Sequence, residues 1–425
     1  MYIENLSPII FEDEVYLLIE PDIHSILVIG MDVVSLATSA RKAGYKVYAV
    51  DYFGDQDLKR MCHESLSIVK QTPEATCGRL STNFNPEALL QLTRKLLKKN
   101  VIDATLLSTG LDDSPHVLFE LNDVIPILGN HPDIIKRIRD KMEFFQELKR
   151  LGIPHPETAM AEGFEEARKK AEDIGYPVLV KPSRGFAGVG IRKAQNHQEL
   201  KQAFRDASLI DEKVLIQEYI SGTPASMSLI SSTNETITLT LNEQLIGLSE
   251  VDQEEPFGYC GNVVPFAATR AVVDRCKSIA ERITSHFGIV GSNGIDLVVS
   301  KEGIPYVVEV NPRFQATLEC VEQVLGINMV EAHVKACVQE NLPAIAKKTA
   351  VFCTRLILFA PQRSVVPDLS VFEEVRDIPL PGVIIEKGEP VCSIGVEGTD
   401  RNSSLREARM IAKLIRKLLQ SQRLS

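Results

Sequence analysis

The 425-residue sequence predicts a chain of mixed α/β and α+β class, with a parallel-sheet unit first and antiparallel strands after it. Three observations carry this expectation. Residues 25 to 52, SILVIGMDVVSLATSARKAGYKVYAVDY, run from an apolar strand through a helical pattern to a second strand, a βαβ opening. Residues 176 to 193, YPVLVKPSRGFAGVGIRK, put a glycine-rich loop between two strands. Residues 293 to 314, NGIDLVVSKEGIPYVVEVNPRF, flank a turn with two apolar strands.

Composition narrows the function. With 44% hydrophobic and 24% charged residues the chain reads as an ordinary globular protein. A net charge of -10 and no basic stripe argue against a nucleic-acid partner. The eight cysteines are scattered singly without C-x-x-C, so reduced thiols are expected rather than a zinc site or a disulfide framework. The opening MYIENLSPIIFEDE is acidic where a signal peptide would be basic, and no apolar run reaches the roughly 18 residues of a membrane span. A cytoplasmic protein without membrane contact is expected.

The elements follow in order. After the first strand Gly30 is succeeded by Met31, Asp32, Val33, Val34 and Ser35, which lacks the G-x-G-x-x-G of a dinucleotide site. ATLLSTG, residues 104 to 110, is a strand leading into the loop LDDSPH, and strand ends of a parallel sheet make Ser108, Thr109 and Asp113 candidate contacts for a second substrate, or solvated loop residues. KRIRDKMEFFQELKRLG, residues 136 to 152, reads as one amphipathic helix stopped by Gly152. Strands and helices alternate over 153 to 222, strands return over 226 to 251, and 271 to 287 is a helix with its apolar stripe in the core. The last eighty residues hold the strands VFCTRLILFA and VIIEKGEPVCSIGVEG, then a helix opened by a Ser404-x-x-Glu407 capping box. Four units are expected: 1–135, 136–222, 223–345 and 346–425.

Chemistry gathers in three places. Lys181 ends an apolar strand, and Gly185, Gly188 and Gly190 follow; a loop of this kind brings backbone N–H groups close to phosphates, although a structural glycine hairpin would look the same. KVLIQEYISG, residues 213 to 222, is a strand end where Gln217 or Glu218 could meet an adenine edge. In the 293–314 hairpin, a turn at Glu302-Gly303 sets Asp296 opposite Glu309, close enough to share a cation, and alternation puts Asn311 and Arg313 on the face of Glu309. Two facing carboxylates suit magnesium.

RDKMEFFQELKRLGIPHP, PVLVKPSRGFAGVG, LIQEYISG and GIDLVV…VVEVNPRFQ, in this order, resemble the ATP-grasp superfamily over about residues 25 to 335, nearest its biotin carboxylase and carbamoyl-phosphate synthetase branch. The resemblance implies an ATP-grasp fold behind a Rossmann-like N-terminal domain, with a small α+β C-terminal domain. It implies ATP and Mg2+ as cofactors, with Mn2+ as the substitute ion. Lys141, Lys181 and Ser183 would contact the nucleotide, the loop Gly185, Gly188 and Gly190 would close over its phosphates, and Gln217, Glu218 and Ile220 would form the adenine hinge. Asp296, Glu309 and Asn311 would hold the metal, and Arg313 would stabilise an acyl-phosphate or carboxyphosphate intermediate. The implied reaction activates a small carboxylate and couples it to an amine, with a bicarbonate-using carboligase or an inactive ATP-binding regulatory module as alternatives; a homodimer is frequent in the family. Two features depart from the pattern: Gln217 stands where many members have glutamate, and SGTPASMS lacks the acidic residue that often holds ribose.

Overall fold

The computed structural model describes residues 23–76, 84–185, 187–345 and 351–422, so the acidic opening segment lies outside the described residues. The N-terminal sheet is parallel, in the order β3-β2-β1-β4, from β1 (Ser25–Ile29), β2 (Lys46–Asp51), β3 (Glu64–Ser67) and β4 (Ala104–Leu107). Ile26, Leu27, Val28 and Ile29 are all fully buried, because α1 (Val34–Lys42), α2 (Gln56–Met61), α3 (Pro86–Leu97) and α4 (Pro115–Val124) cover the sheet. Gly30 serves close approach: a Cβ there would lie 2.8 Å from both Ser108 Cβ and the Thr109 carbonyl oxygen. Met31 N–H donates to that carbonyl at 2.7 Å, so the ends of β1 and β4 are zipped and the loops carrying Asp32 and Asp112 lie side by side.

The expected helix over 136–152 is two helices, α5 (Pro132–Arg139) and α6 (Lys141–Arg150). Asp140 separates them with an extended backbone, and its carboxylate accepts from the N–H groups of Met142 and Glu143 at 3.1 and 3.0 Å. An aspartate that can cap a helix start competes with continuing the previous helix. The break turns Arg139 and Lys141 toward the same carboxylate, Glu309.

A second, antiparallel sheet runs β5-β8-β6-β7: β5 (Thr158–Ala161), β6 (Val178–Pro182), β7 (Arg192–Ala194) and β8 (Val214–Glu218). Helices α7 (Phe164–Ile174) and α8 (His197–Ser208) bury Ala167, Ala171, Leu200 and Ala203 against it. The third sheet is built from β9 (Gly222–Ser231), β10 (Thr236–Ile246), β11 (Tyr259–Val264), β12 (Gly291–Ser300), β13 (Pro305–Asn311), β14 (Phe352–Phe359), β16 (Val375–Arg376) and β18 (Pro390–Gly398). Their order is β13-β12-β9-β10-β11-β14-β18-β16. A short pair, β15 (Ser364–Val365) and β17 (Ile384–Ile385), stands apart. Strands after residue 345 thus extend the sheet that precedes it.

Helix α9 (Arg270–Phe287) packs Cys276, Ile279, Ala280 and Ile283 onto that sheet. Helices α10 (Leu318–Leu325) and α11 (Met329–Val338) share a core with α1, joining the third sheet to the N-terminal one. Helix α12 (Arg401–Ser421) covers β14 and β18 through Leu405, Ala408, Ile411 and Ile415. Its cap differs from the expected Ser404/Glu407 box: Asp400 and Ser403 form the reciprocal pair. Ser404 is already inside the helix and bonded to Thr354 Oγ1 at 2.8 Å. Among the described residues no helix is long and apolar enough to cross a membrane.

Candidate active site

The three sheets meet around one cleft of about 900 Å³, to which the first contributes Asp112, the second Lys181 and the third Asp296. Asp296 pairs with Glu309 across β12 and β13, as the hairpin reading expects, but by another route. Val299 pairs with Pro305 and Leu297 with Val307, which leaves Lys301, Glu302 and Gly303 as a three-residue loop. A bulge at Val308 then restores the pairing of Asp296 with Glu309. Without that extra residue the two carboxylates would be out of step.

The carboxylates have different surroundings. Asp296 accepts from the neutral amides of Gln244 and Asn311, each at 3.0 Å, and burial, with the Glu309 charge beside it, pushes its carboxyl up to about 7. Burial would raise Glu309 as well. The Arg139 guanidinium and the Lys141 ammonium, 3.0 Å from Glu309 Oε1, overcome that and hold it far below the usual carboxylate range. Arg139 is forked: Nε and one terminal nitrogen donate to Asp113 at 2.7 and 2.9 Å, and the other donates to Glu309. Burial, then the Arg139 charge, keeps Lys141 below its ordinary value.

Lys181 rises from the second sheet, and burial pushes its ammonium down to about 8. It donates to Gln217 Oε1 at 2.6 Å, and Gln217 donates on to Thr158 at 2.8 Å, so the Gln217 side chain is committed within the sheet. Ser183 Oγ donates to Asp211 at 2.6 Å. The glycine loop lies against 257–259: Gly188 has φ +78°, and Tyr259 N–H donates to the Ala187 carbonyl at 3.0 Å. Beside the loop, 259–264 is β11 inside the large sheet, with Asn262 and Val263 paired to both neighbouring strands.

Arg313, just past β13, donates to Asp112 at 2.6 Å and to Asn311 Oδ1 at 3.1 Å. Lys141, Lys181, Ser183, Gly185, Gly188, Gln217, Glu218, Ile220, Asp296, Glu309, Asn311 and Arg313 all line the cleft, as do Ser108, Thr109 and Asp113. Gly190 does not; it turns the loop against Ile210. Sequence reasoning passed over Arg139, Asp112, Gln244, Asp32 and Arg355. Arg139 stood in plain view beside Lys141, but a single helix would have pointed the two apart.

Residues 138–317 match the family model of the ATP-grasp domain. An uncharacterised protein of Methanocaldococcus jannaschii is 27% identical over 376 residues, 87% of each chain. The chain spans only 26% of the carbamoyl phosphate synthase large chain of Thermotoga neapolitana, to which 68% of it aligns at 27% identity. The biotin carboxylase domain of Hydrogenobacter thermophilus 2-oxoglutarate carboxylase, solved with MgADP, ADP and bicarbonate, superposes with a TM-score of 0.73 at 17% identity over 94% of both chains. The L-amino acid ligase of Bacillus licheniformis superposes with a TM-score of 0.68 at 15% identity, over 92% of this chain and 98% of that one. These two likenesses show the fold.

Proposed function

We propose that the chain is an ATP- and magnesium-dependent ligase that activates a small carboxylate as an acyl phosphate and couples it to an amine, releasing ADP and phosphate. The observation that carries this reading is the register of Asp296 and Glu309, two carboxylates on adjacent strands at a cleft ringed by Lys141, Lys181, Arg139 and Arg313.

The donor set fits magnesium: it is all oxygen, neutral amides hold Asp296 rather than a cation, and each carboxylate belongs to a rigid strand. Asp296 and Glu309 would hold the ion; Asn311 Oδ1 is turned to Arg313 and would join after a small rotation. Bound there, it would neutralise phosphate charge. The chain's own groups do the rest. Lys141 and Lys181 place ammonium charge at the phosphates, and the glycine loop presents N–H groups while excluding water. A substrate carboxylate oxygen attacks the γ-phosphorus, the bond to the bridging oxygen breaks, and ADP leaves. Arg313, held by Asp112 at 2.6 Å, is oriented to stabilise the acyl phosphate. Amine nitrogen then bonds to the acyl carbon, and phosphate departs with the electron pair.

A second reading, a bicarbonate-using carboligase, is favoured by the bicarbonate in the Hydrogenobacter complex. Coupled detection of ADP with Mg2+ and pools of acids and amines tests both. The amide reading expects ADP release that requires an acid together with an amine. Release driven by bicarbonate alone, with labelled carbon incorporated, would replace it by the carboligase. MgADP binding without turnover under any pool would leave an inactive nucleotide-binding module.

A further inference from the structure

Where the N-terminal sheet meets β14, the cleft wall carries charges that nucleotide chemistry does not use. Arg355 on β14 has a side chain only 6% exposed; it donates to Asp32 at 3.1 Å, Asp377 at 2.8 Å and the Ala316 carbonyl at 3.0 Å. Among the described residues its Nε–H has no hydrogen-bond partner, and neither has Asp377 Oδ1. Asp32 is 30% exposed, and both Asp32 and Arg355 line the cleft. Buried donors and acceptors are nearly always satisfied, so a guanidinium with a spare N–H, paired to a cleft-lining carboxylate, has hydrogen-bonding capacity in hand when that pair rearranges around a ligand.

We propose that Asp32 and Arg355 form the subsite for the amine cosubstrate, and that this cosubstrate is an α-amino acid: its ammonium binds Asp32 and its carboxylate binds Arg355. The inference rests on the ligase reading above. Three features point to this chemistry. Two carboxylates, Asp32 and Asp377, face one guanidinium, so the wall has negative charge to offer an ammonium. Arg355 can release Asp32 without being left unpaired, because Asp377 keeps hold of it. Asp32 and Arg355 are themselves only 3.1 Å apart, which suits an ammonium and a carboxylate borne on a single carbon rather than on the two ends of a long chain. A carboxylate clamped by Arg355 is also kept from the phosphoryl group, which leaves the nitrogen as the reacting atom. The bound ammonium must lose two protons to become an amide nitrogen: the second leaves with the departing phosphate as the bond to the acyl carbon forms, and the first, lost before attack, needs a base beside it. Asp32 is the adjacent acceptor; burial, then the Asp377 charge, pushes its carboxyl up to about 7 against the opposing pull of Arg355.

The test titrates the proteinogenic amino acids one at a time into the full chain saturated with MgADP, by calorimetry. At least one amino acid is expected to bind, and its N-acetyl and carboxamide derivatives should each bind at least about tenfold more weakly. Asp32→Asn and Arg355→Lys should each weaken the amino acid by a similar factor while MgADP affinity stays within about twofold. Derivatives that bind as well as the parent overturn the proposal even if a variant fails to fold. MgADP binding with no amino acid bound overturns this inference alone; failure of MgADP itself to bind overturns the ligase reading and the inference with it.

Discussion

Gly188→Ala should disable the glycine loop without touching a charged group. At φ +78° an alanine pays about 1–2 kcal/mol for the left-handed conformation. Its Cβ would sit 1.9 Å from the Phe257 carbonyl oxygen, whereas real Cβ contacts stay above 3.0 Å, so the loop must retreat by about 1.1 Å. That retreat breaks the bond from Tyr259 N–H to the Ala187 carbonyl, worth about 1 kcal/mol. The closed loop therefore loses about 2–3 kcal/mol, which predicts about 30- to 150-fold weaker MgADP binding by calorimetry and a matching rise in KM for ATP. Gly152→Ala is the control: φ is +62°, but nothing among the described residues lies within 4 Å of the new Cβ and the position is outside the cleft, so affinity should hold. A folded Gly188→Ala protein that binds MgADP within twofold of the wild type would refute loop closure over the nucleotide.

Other outcomes follow from the same geometry. Arg313→Ala should lower turnover by about 10²–10³ with MgADP affinity retained; unchanged turnover in a folded protein would remove Arg313 from the reaction. Burial holds Lys181 down to about 8, so its ammonium is charged at pH 7 and mostly neutral at pH 9. MgADP affinity should fall about tenfold across that interval, and a Lys181→Met protein, weak throughout, should show no such step. Burial, then the Asp377 charge, pushes Asp57 from 3.8 up to about 6, so the folded chain binds the extra proton between those values. The stabilisation is full only below 3.8 and is lost as pH rises through 6. Relative to Asp57→Asn, the wild type should therefore lose about 2.4 kcal/mol from pH 4 to 7, read as diverging urea midpoints; parallel midpoints would contradict this.

What the sequence disclosed and what it hid have one physical divide. The apolar strand 25–29, the glycine loop and the Asp296–Glu309 pairing are encoded by neighbours in the chain, through period, turn chemistry and alternation, and all three are present. Arg139 finds Glu309 across 170 residues, Arg313 finds Asp112 across 201, and Arg355 finds Asp32 across 323. Those partners exist only after the three sheets close around the cleft, so no local pattern announces them. The same limit explains the helix boundaries. Amphipathic spacing continues through Asp140, and only the orientation of its carboxylate decides that one helix stops there and another begins. At Val308 the pairing survived because loop length and bulge compensate, which a count of residues around the turn cannot reveal.

The most direct measurement is anomalous scattering from crystals grown with Mn2+ and ADP. A single strong peak within about 2.0–2.6 Å of carboxylate oxygens from both Asp296 and Glu309, with nucleotide phosphate completing its shell, is the expected result. Bound ADP whose metal lies away from that pair of strands, or manganese with no nucleotide in the cleft, would contradict it.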